Sequence, residues 1–245
     1  MHELWAAMVF YTCLPLGKRP LPFERIARWL PLVGLVVGTF LCLLHGLARN
    51  WFSPSMAALV TVLGWSVLTG GLHLDGLMDT ADGWACGKSL ERRLKVMAES
   101  TVGAYAVLAA LGVLAAKVIA LTDLAEQAVL PLLVASVISR WGQVVAIGAY
   151  PYLRDAGKGR FHKDYMDWPR DGLTSTVWVA GVAIALGFGF PVRLVVLSVF
   201  VGFLVAWLCG WWIAREFGGH TGDTYGAVVE VSEAVTLVVC TVLVR

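Results

Sequence analysis

The chain has 245 residues, of which 58% are hydrophobic and only 15% charged, with a mean hydropathy of +0.75; a soluble domain carries roughly 25% charged residues. A water-soluble globular domain is therefore excluded, and a net charge of +2 is too small to imply a nucleic-acid partner. The five cysteines, Cys13, Cys42, Cys86, Cys209 and Cys240, are scattered with no C-x-x-C pair, so neither a disulfide framework nor a zinc site is expected.

In chain order, the apolar stretch from Leu4 to Leu14 comes first. It precedes its basic residues instead of following them, unlike a signal peptide, and it is short for a span, so an interfacial or buried segment is expected. Spans follow near residues 29–48, 56–72, 103–122, 128–149, 174–190, 192–214 and 225–244. These stretches approach the roughly 20 residues that cross a hydrocarbon core, and they must be helical because lipid gives the backbone no hydrogen-bonding partner. Trp29 and Trp51 bracket the first span as interfacial anchors. Gly34 and Gly38 form a G-x-x-x-G face that suits helix packing, including self-association into a homo-oligomer. Gly187, Gly189 and Pro191 predict a tight hairpin between the fifth and sixth spans.

Charge placement then sets the topology. With the N-terminus cytoplasmic, one side collects Lys18, Arg19, Arg25 and Arg28, then Lys88, Arg92, Arg93 and Lys95. The same side takes Arg154, Lys158, Arg160, Lys163 and Arg170, and finally Arg215. The other side keeps Arg49, Arg193 and Arg245, while Lys117 and Arg140 fall inside spans. Such an excess marks the cytoplasmic face. The expected fold is all-α: a polytopic helical bundle in the lipid bilayer, one domain over residues 1–245, with about seven transmembrane helices.

The densest polar block is Gly70-Gly71-Leu72-His73-Leu74-Asp75-Gly76-Leu77-Met78-Asp79-Thr80-Ala81-Asp82-Gly83. Asp75, Asp79 and Asp82 are spaced four and three apart and share one face of a helix. Three carboxylates with no Lys or Arg between them repel each other unless a divalent cation neutralises them, and all-oxygen ligands suit Mg²⁺ or Mn²⁺. The plainer reading of any one of them is a solvated charge just outside the membrane. A second block, Gly218-Gly219-His220-Thr221-Gly222-Asp223-Thr224-Tyr225-Gly226-Ala227 with Glu230 and Glu233, places Asp223, Glu230 and Glu233 on one face at the start of the last span. Asp223 alone could be a helix cap. Capping does not account for two glutamates inside a span, where an unpaired carboxylate is costly.

Basic residues flank both blocks: Arg92, Arg93 and Lys95 after the first, Arg140 within the fourth span, and Arg154, Lys158, Arg160 and Lys163 in the longest loop. Carboxylates for a metal with Arg and Lys for anionic oxygens are the equipment of phosphoryl transfer. There is no G-x-x-x-x-G-K-[ST] loop and no G-x-S-x-G elbow. His2, His45 and His162 are read as surface or packing residues.

These blocks, in this order and spacing, resemble the adenosylcobinamide-GDP ribazoletransferase (cobalamin synthase) family nearly end to end. The resemblance is carried by TGGLHLDGLMDTADG from Thr69 to Gly83, RRLKVMAESTVGAY from Arg92 to Tyr105, Ser139-Arg140, and GGHTGDTYGAVVEVSE from Gly218 to Glu233. Two departures stand out. Thr101 occupies a position where the family usually carries a basic residue, and Cys13-Leu14-Pro15 replaces a family Arg-Leu-Pro.

The resemblance implies a Mg²⁺-dependent reaction between adenosylcobinamide-GDP and α-ribazole or its 5′-phosphate. A ribose hydroxyl attacks the phosphorus attached to cobinamide, giving adenosylcobalamin or its 5′-phosphate and releasing GMP. Asp75, Asp79, Asp82, Asp223, Glu230 and Glu233 are then the expected metal ligands. His73, Asp82, Arg92, Arg93, Glu99 and Arg140 are the expected catalytic residues, with His73 or an aspartate as general base. Ser100, Arg154, Lys158, Gly219, Thr221, Gly222 and Thr224 are expected to bind substrate. The enzyme is expected in the bacterial inner (cytoplasmic) membrane with its site facing the cytoplasm.

Two rival readings differ in their signatures. A CDP-alcohol-phosphotransferase-like lipid enzyme also spaces carboxylates three and four apart, but the first block lacks the Ala-Arg expected after its Asp-Gly. A cation-coupled transporter would place charges near the bilayer midplane on paired broken helices, whereas these acids gather toward one face.

Overall fold

A computed structural model describes residues 2–16, 21, 23–87, 89–157 and 159–244; Lys18, Arg19, Lys88, Lys158 and Arg245 of the charge pattern lie outside them. Helix α1 (His2–Tyr11) is the short apolar N-terminal segment, and it buries Ala6, Ala7 and Tyr11. It is followed by α2 (Leu30–Arg49), α3 (Pro54–Leu68), α4 (Leu72–Ala85), α5 (Leu90–Val96), α6 (Ala104–Leu124) and α7 (Val129–Ala149). Then come α8 (Arg160–Asp164), α9 (Arg170–Gly187), α10 (Val192–Phe217) and α11 (Gly222–Leu243). A short turn joins α9 to α10 at the expected Gly187–Pro191 hairpin.

Among the described residues, four continuous runs are long and apolar enough to cross a membrane: Ile26–Arg49, Ala104–Ala149, Val192–Phe217 and Gly222–Leu243. The run Ala104–Ala149 holds both α6 and α7. These meet at Ala125, whose φ of +48° breaks the helix, and both pack on α11, so the chain reverses there. Counting α3 and α4 as one bent pair gives up to five such runs. Helices stand at all seven expected span positions, but α3 is only 15 residues long, and α9 opens on Arg170 and Asp171, which lower its apolar character. The fold is that of a multi-pass helical membrane protein.

Helix α11 is the hub, touching α4, α6, α7 and α10, while α2 lies along α7. The Gly34–Gly38 face is consumed inside the chain. A Cβ on Gly34 would collide with the carbonyl oxygen of Ser136, and one on Gly38 would lie 3.2 Å from the Cα of Leu133. The small residues expected to mediate helix packing therefore seat α2 on α7, not one copy on another.

The α3–α4 junction positions the site. Gly70 and Gly71 adopt φ values of +61° and +66°, a region that favours glycine, and the two helices meet at 89°. Helix α4 consequently runs across the ends of α6 and α11, at a steep angle to α3. Basic residues share that end: Arg25 pairs with Asp167 and Asp171, Arg154 with Asp223, and Arg93 reaches the Glu216 carbonyl. At the opposite end Arg49 pairs with Glu126.

Gly34→Ala is expected to overpack the α2–α7 contact at about 1–3 kcal/mol, lowering the thermal unfolding temperature in detergent. Gly46→Ala is the control, since a Cβ there meets nothing within 4 Å. Equal stability of the two variants would refute this account of the contact.

Candidate functional site

Helix α4 crosses the first turn of α11 with almost no space between the backbones. A Cβ on Gly76 would lie 2.5 Å from the Asp223 carbonyl oxygen, and one on Gly226 would lie 2.8 Å from the His73 carbonyl oxygen. Only glycine permits this approach, and it brings the two acidic blocks together across more than a hundred residues of sequence.

A second contact completes the site. The loop after α7 and the turn before α11 are zipped by two backbone bonds: Leu153 N–H donates to the His220 carbonyl at 2.8 Å, and His220 N–H donates to the Pro151 carbonyl at 2.9 Å. Gly159 sits on Gly222, where a Cβ would lie 2.6 Å from the Gly222 Cα. The loop thereby delivers Arg154, whose Nη1 lies 2.9 Å from the Asp223 carboxylate and whose Nη2 donates to the Leu94 carbonyl at 3.5 Å. The start of α11 is fixed by a capping box in which Thr221 and Thr224 satisfy each other's backbone N–H groups.

These elements enclose a cleft of about 290 Å³. Asp75, Arg154 and Asp223 stand at its charged mouth, and His73, Gln143 and Tyr225 are among its inner residues. Asp79 lies one turn beyond Asp75. Burial, then Asp223, then Asp75 push its carboxyl up to about 7, with Arg154 opposing. His73 is held well below its ordinary value, first by burial and then by the charges of Arg140 and Lys117, so its ring is neutral. Neither ring nitrogen has a hydrogen-bond partner.

Below the cleft lies a closed charge network. Lys117 of α6 donates to Glu230 at 2.7 Å and to Glu233 at 2.6 Å, while Arg140 of α7 donates to Glu233 at 2.5 Å and to the Ser136 carbonyl at 3.0 Å. All four ionised side chains are buried. Two cations answer two anions, which is the condition under which charges tolerate such a site.

Comparison with known proteins is decisive at this point. A family model described as cobalamin-5-phosphate synthase matches residues 3–241. The chain belongs to the cobalamin-5-phosphate synthase family. Relatives named adenosylcobinamide-GDP ribazoletransferase from Trichormus variabilis and Thermosynechococcus vestitus are each 43% identical to it, covering 98% and 99% of this chain and 97% and 98% of their own lengths. A protein of the same name from Roseiflexus is 37% identical over 96% of this chain and 87% of its own. No solved structure matches the chain.

Within this family member, the residues singled out from sequence separate into three groups. His73, Asp75, Asp223, Arg154 and Gly222 line the cleft, with Asp79 beside them. A second group is engaged in holding the structure. Asp82 accepts the N–H of Gly103 at 2.6 Å and of Ala106 at 2.9 Å, which caps α6. Glu230 and Glu233 are paired with Lys117 and Arg140, while Nε and Nη2 of Arg140 make no hydrogen bond. Thr221 and Thr224 cap α11. Gly219, at φ +157°, passes the Pro151 carbonyl where a Cβ would come within 2.5 Å.

The third group lies off the cleft. Arg92 pairs with Glu99 at 3.5 Å on the exposed α5 side, Arg93 donates to the Glu216 carbonyl and covers Phe217, and Ser100 is exposed. Lys158 lies outside the described residues. Arg154, not the Arg92–Arg93 pair, supplies the guanidinium at the mouth. Two residues escaped sequence reasoning. Lys117 was visible as a lone lysine in an apolar span, a signal that asks for a partner. His162, taken for a packing residue, lines the cleft and bonds the Tyr11 hydroxyl at 2.9 Å.

Lys117→Met leaves one cation facing two buried carboxylates, an expected loss of about 3–5 kcal/mol visible as a collapse in unfolding temperature. Adding Glu230→Gln restores the charge balance and should recover much of that loss. A double variant no more stable than the single one would disprove the network's role.

Proposed function

We propose that the chain is an adenosylcobinamide-GDP ribazoletransferase, joining adenosylcobinamide-GDP to α-ribazole or its 5′-phosphate with release of GMP. The observation that carries the reading is the meeting of Asp75, Asp79 and Asp223 around Arg154 at the mouth of the cleft, in a chain whose family and relatives are named for this chemistry. A lipid-transferase or transporter reading has no comparable support: the open carboxylates lie at the helix ends, and the acids within the spans are closed into ion pairs.

The donor set fits Mg²⁺. Among the described residues no three His, Cys, Asp or Glu side chains are grouped closely enough to hold a metal ion by themselves; Mg²⁺ keeps waters and binds through one or two carboxylates plus substrate phosphates. Burial and then the neighbouring carboxylates Asp223 and Asp75 push Asp79 up to about 7, and a bound cation would offset both by favouring the charged form. Asp75, Asp79 and Asp223 would hold the ion, and when bound it supplies neutralisation of the diphosphate charge. Asp82, Glu230 and Glu233 act as supports for this edge.

The remaining steps belong to the chain's own groups. Arg154, fixed by Asp223 and the Leu94 carbonyl, faces the diphosphate oxygens. His73, unpartnered in the cleft wall, or an aspartate at the mouth accepts the proton of the attacking ribose hydroxyl. The hydroxyl oxygen bonds to the phosphorus attached to cobinamide, the bond from that phosphorus to the GMP oxygen breaks, and GMP departs. The concentration of Lys and Arg at the cleft end of the bundle supports a cytoplasmic site in a bacterial inner membrane.

The test is direct. Protein purified in detergent is incubated with both substrates and either Mg²⁺ or EDTA, and the products are followed by mass spectrometry. Adenosylcobalamin and GMP are expected together, and only with Mg²⁺; folded protein that forms neither rules the reading out. Asp79→Asn should lower kcat/KM by roughly 100-fold and raise the Mg²⁺ requirement. Asp82→Ala should cost about 1 kcal/mol of stability at an unchanged Mg²⁺ requirement.

A further inference from the structure

The mouth of the cleft is charged, but its interior is built from rings. Phe10 and Tyr11 come from α1, His73 from α4, His162 from α8 and Tyr225 from α11. Tyr11 stacks between two imidazoles, with centroids 6.0 Å from His73 and 5.6 Å from His162 and interplanar angles of 20° and 21°. Phe10 presents its edge to His162 at 5.2 Å. Segments distant in sequence thus converge to offer flat aromatic faces to a single chamber.

The chamber also holds polar atoms with no partner. Both ring nitrogens of His73, Nδ1 of His162, Oε1 of Gln143 and the hydroxyl of Tyr225 make no hydrogen bond. Each of these side chains is at least nine-tenths buried. Protein interiors leave few such atoms unpaired, so their concentration in one cavity points to a ligand that supplies the missing partners.

Size and charge narrow the ligand. About 290 Å³ sits at the lower end of small-molecule sites, which run from roughly 300 Å³ upward. That is the scale of one nucleoside and far too small for a corrin macrocycle. Burial pushes His162 down to about 3, so this wall is neutral, and the cleft's guanidinium, Arg154, is held at the mouth by Asp223. Among the described residues, the inner wall carries no lysine or arginine for a phosphate. A flat, uncharged base would find stacking faces; its free ring nitrogen could accept a hydrogen bond from the Tyr225 hydroxyl, and the unpartnered Gln143 Oε1 could accept one from a ribose hydroxyl.

We infer that the inner chamber binds the heteroaromatic base of the ribazole nucleoside, with its ribose turned toward the charged mouth where the diphosphate is held. This assignment rests on the transferase reading and divides the cleft between the two substrates. The nucleophile is held by aromatic stacking and neutral hydrogen bonds, and the electrophile by carboxylates and Arg154.

The experiment measures α-ribazole binding to the full chain in detergent by titration calorimetry, together with KM for each substrate. Tyr225→Phe and Gln143→Leu are used because each removes an unpartnered polar group, and thermal unfolding checks that both variants fold. Each is expected to weaken α-ribazole binding and raise its KM by roughly tenfold or more, with the KM for adenosylcobinamide-GDP nearly unchanged. Arg154→Ala should do the reverse. If both variants keep wild-type α-ribazole binding and KM, or raise the adenosylcobinamide-GDP KM instead, while the wild type still forms product, the inference is overturned and the transferase reading stands. A wild-type protein that neither binds α-ribazole nor forms product overturns both.

Discussion

Two helices can cross with their backbones in contact only where neither carries a side chain, and the site depends on one such crossing. Gly76 and Gly226 let α4 lie against the first turn of α11, so that Asp223 arrives beside Asp75 and Asp79 while His73 faces the same space. Any larger residue at either position would lift α4 from α11 and separate the two acidic blocks. The 89° bend at Gly70 and Gly71 serves the same end, because a straight continuation of α3 would carry the aspartates away from α11. Glycine acts here by removing atoms at the crossing and by supplying positive φ at the bend.

The crossing needs firm ground, and the buried quartet of Lys117, Arg140, Glu230 and Glu233 provides it. These charges tie α6, α7 and α11 together one to two turns below the cleft. Replacing such a cluster by apolar residues can be neutral or even stabilising, whereas removing one member is costly. Its value therefore lies more in specifying one arrangement of three helices than in net stability. Lys117 also lies over the Trp65 ring at 4.4 Å, which extends the same cluster to α3.

Much of this was legible in the amino-acid sequence. The apolar stretches reported a helical membrane bundle because lipid leaves no alternative, and the spacing of Asp75 and Asp79 placed them correctly on one helical face. Spacing did not show what Asp82 meets, because periodicity tells which way a side chain points along a helix but not what backbone lies there; its carboxylate caps the start of α6. The pairing of Glu233 with Arg140 and of Glu230 with Lys117 was hidden for another reason: partners more than ninety residues apart carry no local pattern. The aromatic chamber was likewise invisible, since Phe10, Tyr11 and His162 look like ordinary apolar or loop residues until α1 and α8 meet.

The two sets of acids show how depth in the bundle decides what a carboxylate can do. A metal-binding or substrate-binding carboxylate must keep lone pairs free in the resting protein, and only at the bundle's end can water occupy them at small cost. One or two turns deeper water is absent, and a free carboxylate would cost too much to persist. The same residue chemistry on one face of α11 is thus sorted by position. Asp223 at the helix start, paired with Arg154, stays partly exposed in the cleft, while Glu230 and Glu233 are buried with Lys117 and Arg140. A run of acids leading into a span therefore has to be divided at the depth where hydration ends, and helical register alone cannot make that division.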